Sequence, residues 1–219
     1  MKKIYFILAA VALFISGANA SAQVVNTVDV TYSPFTLNVE IGDDGDLSTD
    51  MNAFSLNWAQ ARTILPSLPV YLQYGVGIQY AWELDTEKED GVSYKSSTSL
   101  LTAKVPVNVL YCFDVPTTEV SLIPYAGINL QGHIIGQSKS TIKYDGESQS
   151  SSSSFFDKDD MEGDAFNRFI VGWQIGAKVA YKNYFVGVAY EGPVTNLYKL
   201  DDDIKVNTNQ VNISFGIKF

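Results

Sequence analysis

His133 is the sole histidine of the chain, and Ser138 and Ser140 follow it closely. An imidazole within reach of a serine hydroxyl is a general base beside a nucleophile, the arrangement that lipid-modifying and proteolytic enzymes use. No triad-like set accompanies this pair, and the plainer reading of His133 is a polar side chain near the mouth of a lumen. One histidine also excludes metal sites built on histidine. A second candidate is the acidic run Asp157, Asp159, Asp160, Glu162 and Asp164, which could hold calcium, or magnesium bridging to lipopolysaccharide. The sixth position counted from Asp157 is Glu162 where a calcium loop of the EF-hand type needs glycine, so a solvated loop is the simpler account. The third set is Glu83, Lys104, Arg168, Lys178 and Glu191, isolated charges within otherwise uncharged alternating segments, read as a polar cluster that forms a salt-bridged plug or a gate. Glycine-rich phosphate loops and paired catalytic carboxylates are absent, so no catalytic, cofactor-binding or metal residue is assigned. Asn212-Ile213-Ser214 matches a glycosylation triplet but falls inside a strand pattern.

Composition narrows the partners. The sequence opens on Lys2-Lys3, an apolar run from Ile4 to Ser16 and the small-x-small triplet Ala18-Asn19-Ala20. This is a signal peptide over residues 1–20, with an alternative cleavage after Ala22. The apolar run is too short to span a bilayer comfortably, and no cysteine follows it for lipid attachment. The chain carries 15 basic and 24 acidic residues, and loss of Lys2 and Lys3 with the leader leaves 13 against 24, a net charge of −11. That balance argues against nucleic acid as a partner. Cys112 is the single cysteine, so no internal disulfide forms. No later run reaches the length of a membrane-spanning helix, so a membrane life after cleavage requires a closed sheet.

The elements that must position these residues alternate with period two. Val211, Ile213, Phe215, Ile217 and Phe219 take every odd place of the closing stretch, with polar or small residues between. Seven further strands precede it. The first spans Val24 to Ile41, its apolar parity switching at Ser33-Pro34, where a β-bulge is expected. Then come Met51 to Ala61, Val70 to Glu83, Leu101 to Phe113, and Val120 to His133. The last two run from Arg168 to Tyr181 and from Tyr184 to Glu191, joined by a tight turn at Lys182-Asn183. Long acidic connections follow strands one, three (Asp85 to Ser97), five (Gln137 to Ala165) and seven. Short turns follow the even strands. The pattern is all-β, an eight-stranded antiparallel up-and-down transmembrane β-barrel over residues 21–219, with long loops outside the cell and short turns in the periplasm.

A soluble eight-stranded barrel alternates too, with its apolar face inward. Charge placement separates the two: the non-oily face here is Gly, Ala, Ser, Thr, Asn and Gln with about one charge per strand, too few to wet an exterior and suited to a tight lumen. Aromatics collect at two levels, Tyr80 and Trp82 at one and Tyr111, Phe113, Tyr181, Tyr184 and Phe219 at the other, as lipid interfaces favour.

The stretch Lys104-Val105-Pro106-Val107, then Asn108-Val109-Leu110-Tyr111, and Pro124-Tyr125-Ala126-Gly127 after the turn, resembles the outer-membrane-protein β-barrel domain family, which includes PorT-like proteins and is related in build to OmpX and the OmpA barrel. The resemblance implies an architecture and not an activity. It also implies insertion by the outer-membrane assembly machinery, which would read Val211, Ile213, Phe215, Ile217 and Phe219 as the assembly signal. Pro106 fits the family but removes a ladder hydrogen bond, so a bulge or kink is expected there. The expected function is a small non-enzymatic protein of the outer membrane of a Gram-negative bacterium, without cofactor, structural or adhesive, displaying acidic and serine-rich loops. Its partners are then membrane lipid and lipopolysaccharide, the assembly machinery, and an extracellular or envelope protein. An accessory role in a secretion or envelope-biogenesis complex is the alternative, and a lipid-A-modifying enzyme the third reading.

Overall fold

Alternating, β-branched and aromatic-rich segments favour strands, and strands account for the regular structure among the described residues. The computed structural model describes residues 24–41, 45–65, 67–89, 92–144, 147–156, 166–198 and 204–219. The signal segment and the acidic run from Asp157 to Asp164 lie outside the described residues. Ten strands occur among the described residues: β1 (Val24–Ile41), β2 (Gly45–Leu65), β3 (Val70–Glu89), β4 (Val92–Tyr111), β5 (Phe113–Asp114), β6 (Val120–Tyr144), β7 (Glu147–Ser154), β8 (Phe169–Tyr181), β9 (Tyr184–Pro193) and β10 (Ile204–Lys218).

All belong to one antiparallel sheet. β1 lies between β2 and β10, and β3 between β2 and β4. β6 lies between β4 and β8, and β9 between β8 and β10. Each of the eight longest strands therefore has a hydrogen-bonded strand on both sides, while β5 and β7 each pair only with β6.

Several strands run beyond their expected ends. The segment Asp85 to Ser97, expected as a loop, continues the β3–β4 ladder to Glu89↔Val92. Within Gln137 to Ala165, residues 137–154 form a β6–β7 hairpin reaching Tyr144↔Glu147. Asp90-Gly91 and Asp145-Gly146 fall between those paired ends, and Asp-Gly is a sequence signal for a two-residue hairpin link. Lys182, with φ at 52°, serves the tight β8–β9 connection as expected.

The bulge expected at Ser33-Pro34 is absent: Ser33 pairs with Ala53 and Pro34 with Asn52 in unbroken register. Parity is kept, so Phe35 turns inward and is buried with Met51, Ala53 and Ala81, Leu100 packing against them. Leu37 and Val39 likewise pack on Ile170, Leu197 and Val206. The strand does not slip; the enclosed face itself turns apolar toward the end that carries the long hairpins. Pro106 also causes no shift, pairing with Asn129 in register. The β3–β4 pairing passes from Tyr74↔Val107 to Gly77↔Lys104 across it, a gap at the residue that lacks an N–H. The irregularity sits higher, where Leu101 pairs with Ile135 and Thr102 with His133, leaving Ile134 as the extra residue.

Below that level the burial is the inverse of a water-soluble protein's. Asp29, Gln73, Lys104, Asn108, Gln131, Gln174, Glu191 and Gln210 are buried. Ile213, Phe215 and Phe219 are 54, 58 and 64 % exposed, and exposed large apolar residues occur on all eight long strands.

Candidate functional site

Parity alone carries polar side chains from different strands into one enclosed space. On β4 Lys104 lies between outward Ala103 and Val105; on β9 Glu191 follows outward Tyr190; on β6 and β10 the pairs Asn129 and Gln131, Gln210 and Asn212 point the same way. Glu191 is the hub. Lys104 Nζ lies 3.0 Å from its Oε2. The same oxygen accepts from Gln210 Nε2 at 2.6 Å, Asn129 Nδ2 at 3.1 Å and Asn212 Nδ2 at 3.4 Å. Gln131 Nε2 donates to Oε1. A carboxylate, 2 % exposed, thus accepts from four neutral and charged donors on one oxygen and one on the other, tying β4, β6, β9 and β10 together. This satisfies a charge that would otherwise be costly to bury.

Smaller networks continue around the interior. Asn57 Nδ2 donates to Asp29 Oδ1 at 2.8 Å, and Thr31 Oγ1 to the same atom at 2.8 Å. Gln174 Nε2 donates to Asn108 Oδ1 at 2.6 Å, and Asn108 Nδ2 to Gln73 Oε1 at 3.2 Å. Lys178 Nζ lies over the rings of Phe185 (4.8 Å) and Tyr125 (5.3 Å), a cation–π seat for an amine with no neighbouring carboxylate in ion-pair range among the described residues. Lys104, Lys178, Asp29 and Glu191 all line a cavity of about 80 Å³, room for a few waters.

Of the charges expected to cluster, Lys104, Lys178 and Glu191 share this space. Glu83 lies within β3, six residues before its end at Glu89, and is half-exposed, and Arg168 is exposed just before β8; both sit apart because they stand above the level where the inward face turns apolar. Arg168 instead donates from Nη2 to the Phe156 carbonyl at 2.8 Å and lies over that ring. Asp29 and the amides around Glu191 escaped the sequence reading. Asp29 stands between Val28 and Val30, and that parity was the available signal.

His133 is buried, its Nδ1 2.9 Å from Thr102 Oγ1 and its ring stacked at 6.1 Å on Phe156. Ser138 is five residues further along the same strand, roughly 16 Å away, and hydroxyl and imidazole do not meet. Cys112, between β4 and β5, has its Sγ 3.6 Å from Asp114 Oδ1.

No protein-family model matches the chain, and no curated protein does. Among solved structures, it is similar to Ail, the attachment invasion locus protein of Yersinia pestis, in complex with the heparin analogue sucrose octasulfate: 16 % identity over 90 % of this chain and 99 % of that one, TM-score 0.40. Neisserial surface protein A overlaps at 15 % identity over 91 % and 99 %, TM-score 0.40. The outer membrane enzyme PagL overlaps at 14 % over 86 % and 98 %, TM-score 0.39. These neighbours are outer-membrane β-barrel proteins, an enzyme among them.

Proposed function

We propose that this chain is a small eight-stranded up-and-down transmembrane β-barrel, sealed and non-enzymatic, that presents its long hairpins outside the cell in a structural or adhesive role. It resides in the outer membrane of a Gram-negative bacterium. The observation that carries the reading is the inverted burial: a girdle of exposed Val, Ile, Phe and Tyr around all eight long strands, enclosing a hydrogen-bonded polar interior. A soluble protein seldom leaves so large an apolar surface to water, whereas lipid wets it without cost.

Three further features support it. The double flanking of every long strand leaves no free edge among them in the spanning zone, as a bilayer demands. Tyr32, Phe54, Trp82 and Tyr80 form one run of neighbouring rings, and exposed Tyr181, Tyr184, Phe113 and Phe219 mark the opposite level, two aromatic belts of the kind lipid interfaces favour. Beyond Trp82, β3 runs on to Glu89, roughly 20 Å further along the strand, and β4, β6 and β7 extend with it, giving a polar platform suited to contact with a surface or partner. The separation of His133 from Ser138 supports a non-enzymatic role, and insertion by the assembly machinery through Val211 to Phe219 belongs to the same reading.

Fractionation tests it. The expected protein stays with outer membranes through a carbonate wash and migrates faster on gels unheated than boiled. A carbonate-soluble protein with no heat shift contradicts the reading, and a deletion strain with unaltered envelope integrity and unaltered surface adhesion contradicts the role.

A further inference from the structure

Above the Trp82 level, register sorts the charges of the platform by face. Lys95 pairs with Thr86 on one side and Thr141 on the other. Lys139 pairs with Ser97 and Ser152, and Lys143 with Ser93 and Ser148. Partners across a ladder point to the same side, so all three lysines share one face with Leu84, which pairs with Ser97, and with Trp82, which pairs with Ser99. That is the outward face, continuous below with exposed Tyr80 and Ile135. Glu83 and Asp85 fall on the opposite parity.

On β3, β4, β6 and β7 this outward face carries no carboxylate among the described residues above Trp82 and holds three exposed lysines, spaced by serine and threonine; exposed Asp50, on the same face of β2, stands one step above Asn52, the partner of Trp82. Lys139 and Lys143 flank Thr141, the partner of Lys95, so Lys95 has both as diagonal neighbours at roughly 7–8 Å. None of the three makes an ion pair or hydrogen bond among the described residues. Three like charges this close repel unless an anion lies between them. Their height is the second point. One pair step of two residues rises about 5 Å along a tilted strand, which sets Lys139 about 5 Å, Lys95 about 10 Å and Lys143 about 15 Å above the aromatic row, at headgroup depth.

We propose that Lys95, Lys139 and Lys143 form a binding surface for the phosphate groups of the anionic glycolipid in the surrounding outer leaflet. The inference rests on the outer-membrane barrel reading and adds a ligand and a place to it. The serine and threonine hydroxyls between the lysines supply hydrogen bonds to phosphate and sugar oxygens, and the apolar girdle below receives the acyl chains of the same lipid. One molecule is thereby held by both parts of one face.

The test uses the full mature chain folded into phosphatidylcholine bilayers containing dansyl-labelled, phosphorylated lipopolysaccharide, read by energy transfer from tryptophan, with Trp82 on the face concerned. A gel shift on heating, run on each sample, reports barrel folding separately. Each surface lysine near an anionic headgroup is worth about a fivefold factor. The variant Lys95→Gln/Lys139→Gln/Lys143→Gln is expected to keep the heat shift and lose enrichment of the labelled lipid about tenfold or more. The triple arginine variant is expected to retain enrichment, Lys182→Gln at the opposite end of the molecule to leave it unchanged, and dephosphorylated lipid to show none. A glutamine triple that enriches the lipid like wild type, or equal enrichment of dephosphorylated lipid, overturns the proposal while leaving the barrel intact. A wild type with no heat shift overturns the barrel reading, and this inference falls with it.

Discussion

Lys104 on β4 and Glu191 on β9 meet at 3.0 Å, and they are 6 % and 2 % exposed. The two strands are not ladder neighbours: β6 and β8 lie between them in the sheet. The ion pair therefore spans the enclosed space instead of running along a wall, and the four amides around Glu191 brace it from β6 and β10.

Removing one partner of this pair leaves a buried charge unmatched. Glu191→Gln is expected to destabilise the folded state by about 3–5 kcal/mol, read as a lowered urea midpoint in bilayers. Lys104→Met combined with Glu191→Gln is expected to cost less than Glu191→Gln alone, because no orphan ammonium remains. A double variant as unstable as the sum of the singles would mean that the two side chains act independently.

Strand packing makes a second prediction through two glycines of β6. A Cβ on Gly127 would run into the carbonyl oxygen of Val107 and lie 2.7 Å from Asn108 Cα, whereas one on Gly132 would meet only the Phe169 ring at 3.4 Å. Gly127→Ala should therefore cost about 1–3 kcal/mol and Gly132→Ala be close to neutral. Equal urea midpoints for the two variants would contradict the close β4–β6 approach.

On the outer face, Ile213→Lys places a charge among Val188 and Tyr32, its ladder partners. In lipid the expected cost is about 2–4 kcal/mol; on a water-wetted surface the same change would stay within about 0.5 kcal/mol. Folding yield and urea midpoint in bilayers separate these outcomes.

The interior is also expected to be closed to ions. The cavity holds about 80 Å³, and two apolar clusters, around Phe35, Met51 and Leu100 and around Ile170, Leu197 and Val206, pack on the interior side toward the long hairpins, so planar bilayers should record no steady large conductance. Stable porin-like openings would contradict the packing of that layer.

Much of this arrangement was legible from period two alone. The outward residues from Val28 to Tyr32 and from Val211 to Phe219 follow the expected parity, because a strand cannot turn a side chain over without an extra residue. Phe35, Leu37 and Val39 break the pattern for the same reason: their apolar parity reads as outward from sequence, whereas the mouth of the interior is apolar as well. The β6–β7 hairpin was hidden because Ser, Lys, Thr and Gln carry no hydrophobic period when both faces are wet. The bulge at Ile134 leaves no trace beyond two adjacent isoleucines. Lys104, Lys178 and Glu191 could be picked out as lone charges in neutral strands, but the amides that satisfy Glu191 could not, since any inward Asn or Gln looks alike before register is known.

The most direct test of the central claim is a cysteine scan of β10 in a Cys112→Ser background, each site carrying a fluorophore, in bilayers of brominated lipid. Strong quenching at Val211, Ile213, Phe215 and Ile217 with little at Gln210, Asn212 and Ser214 is the predicted result. Quenching of the odd-numbered sites by aqueous iodide instead, or no alternation at all, would contradict it.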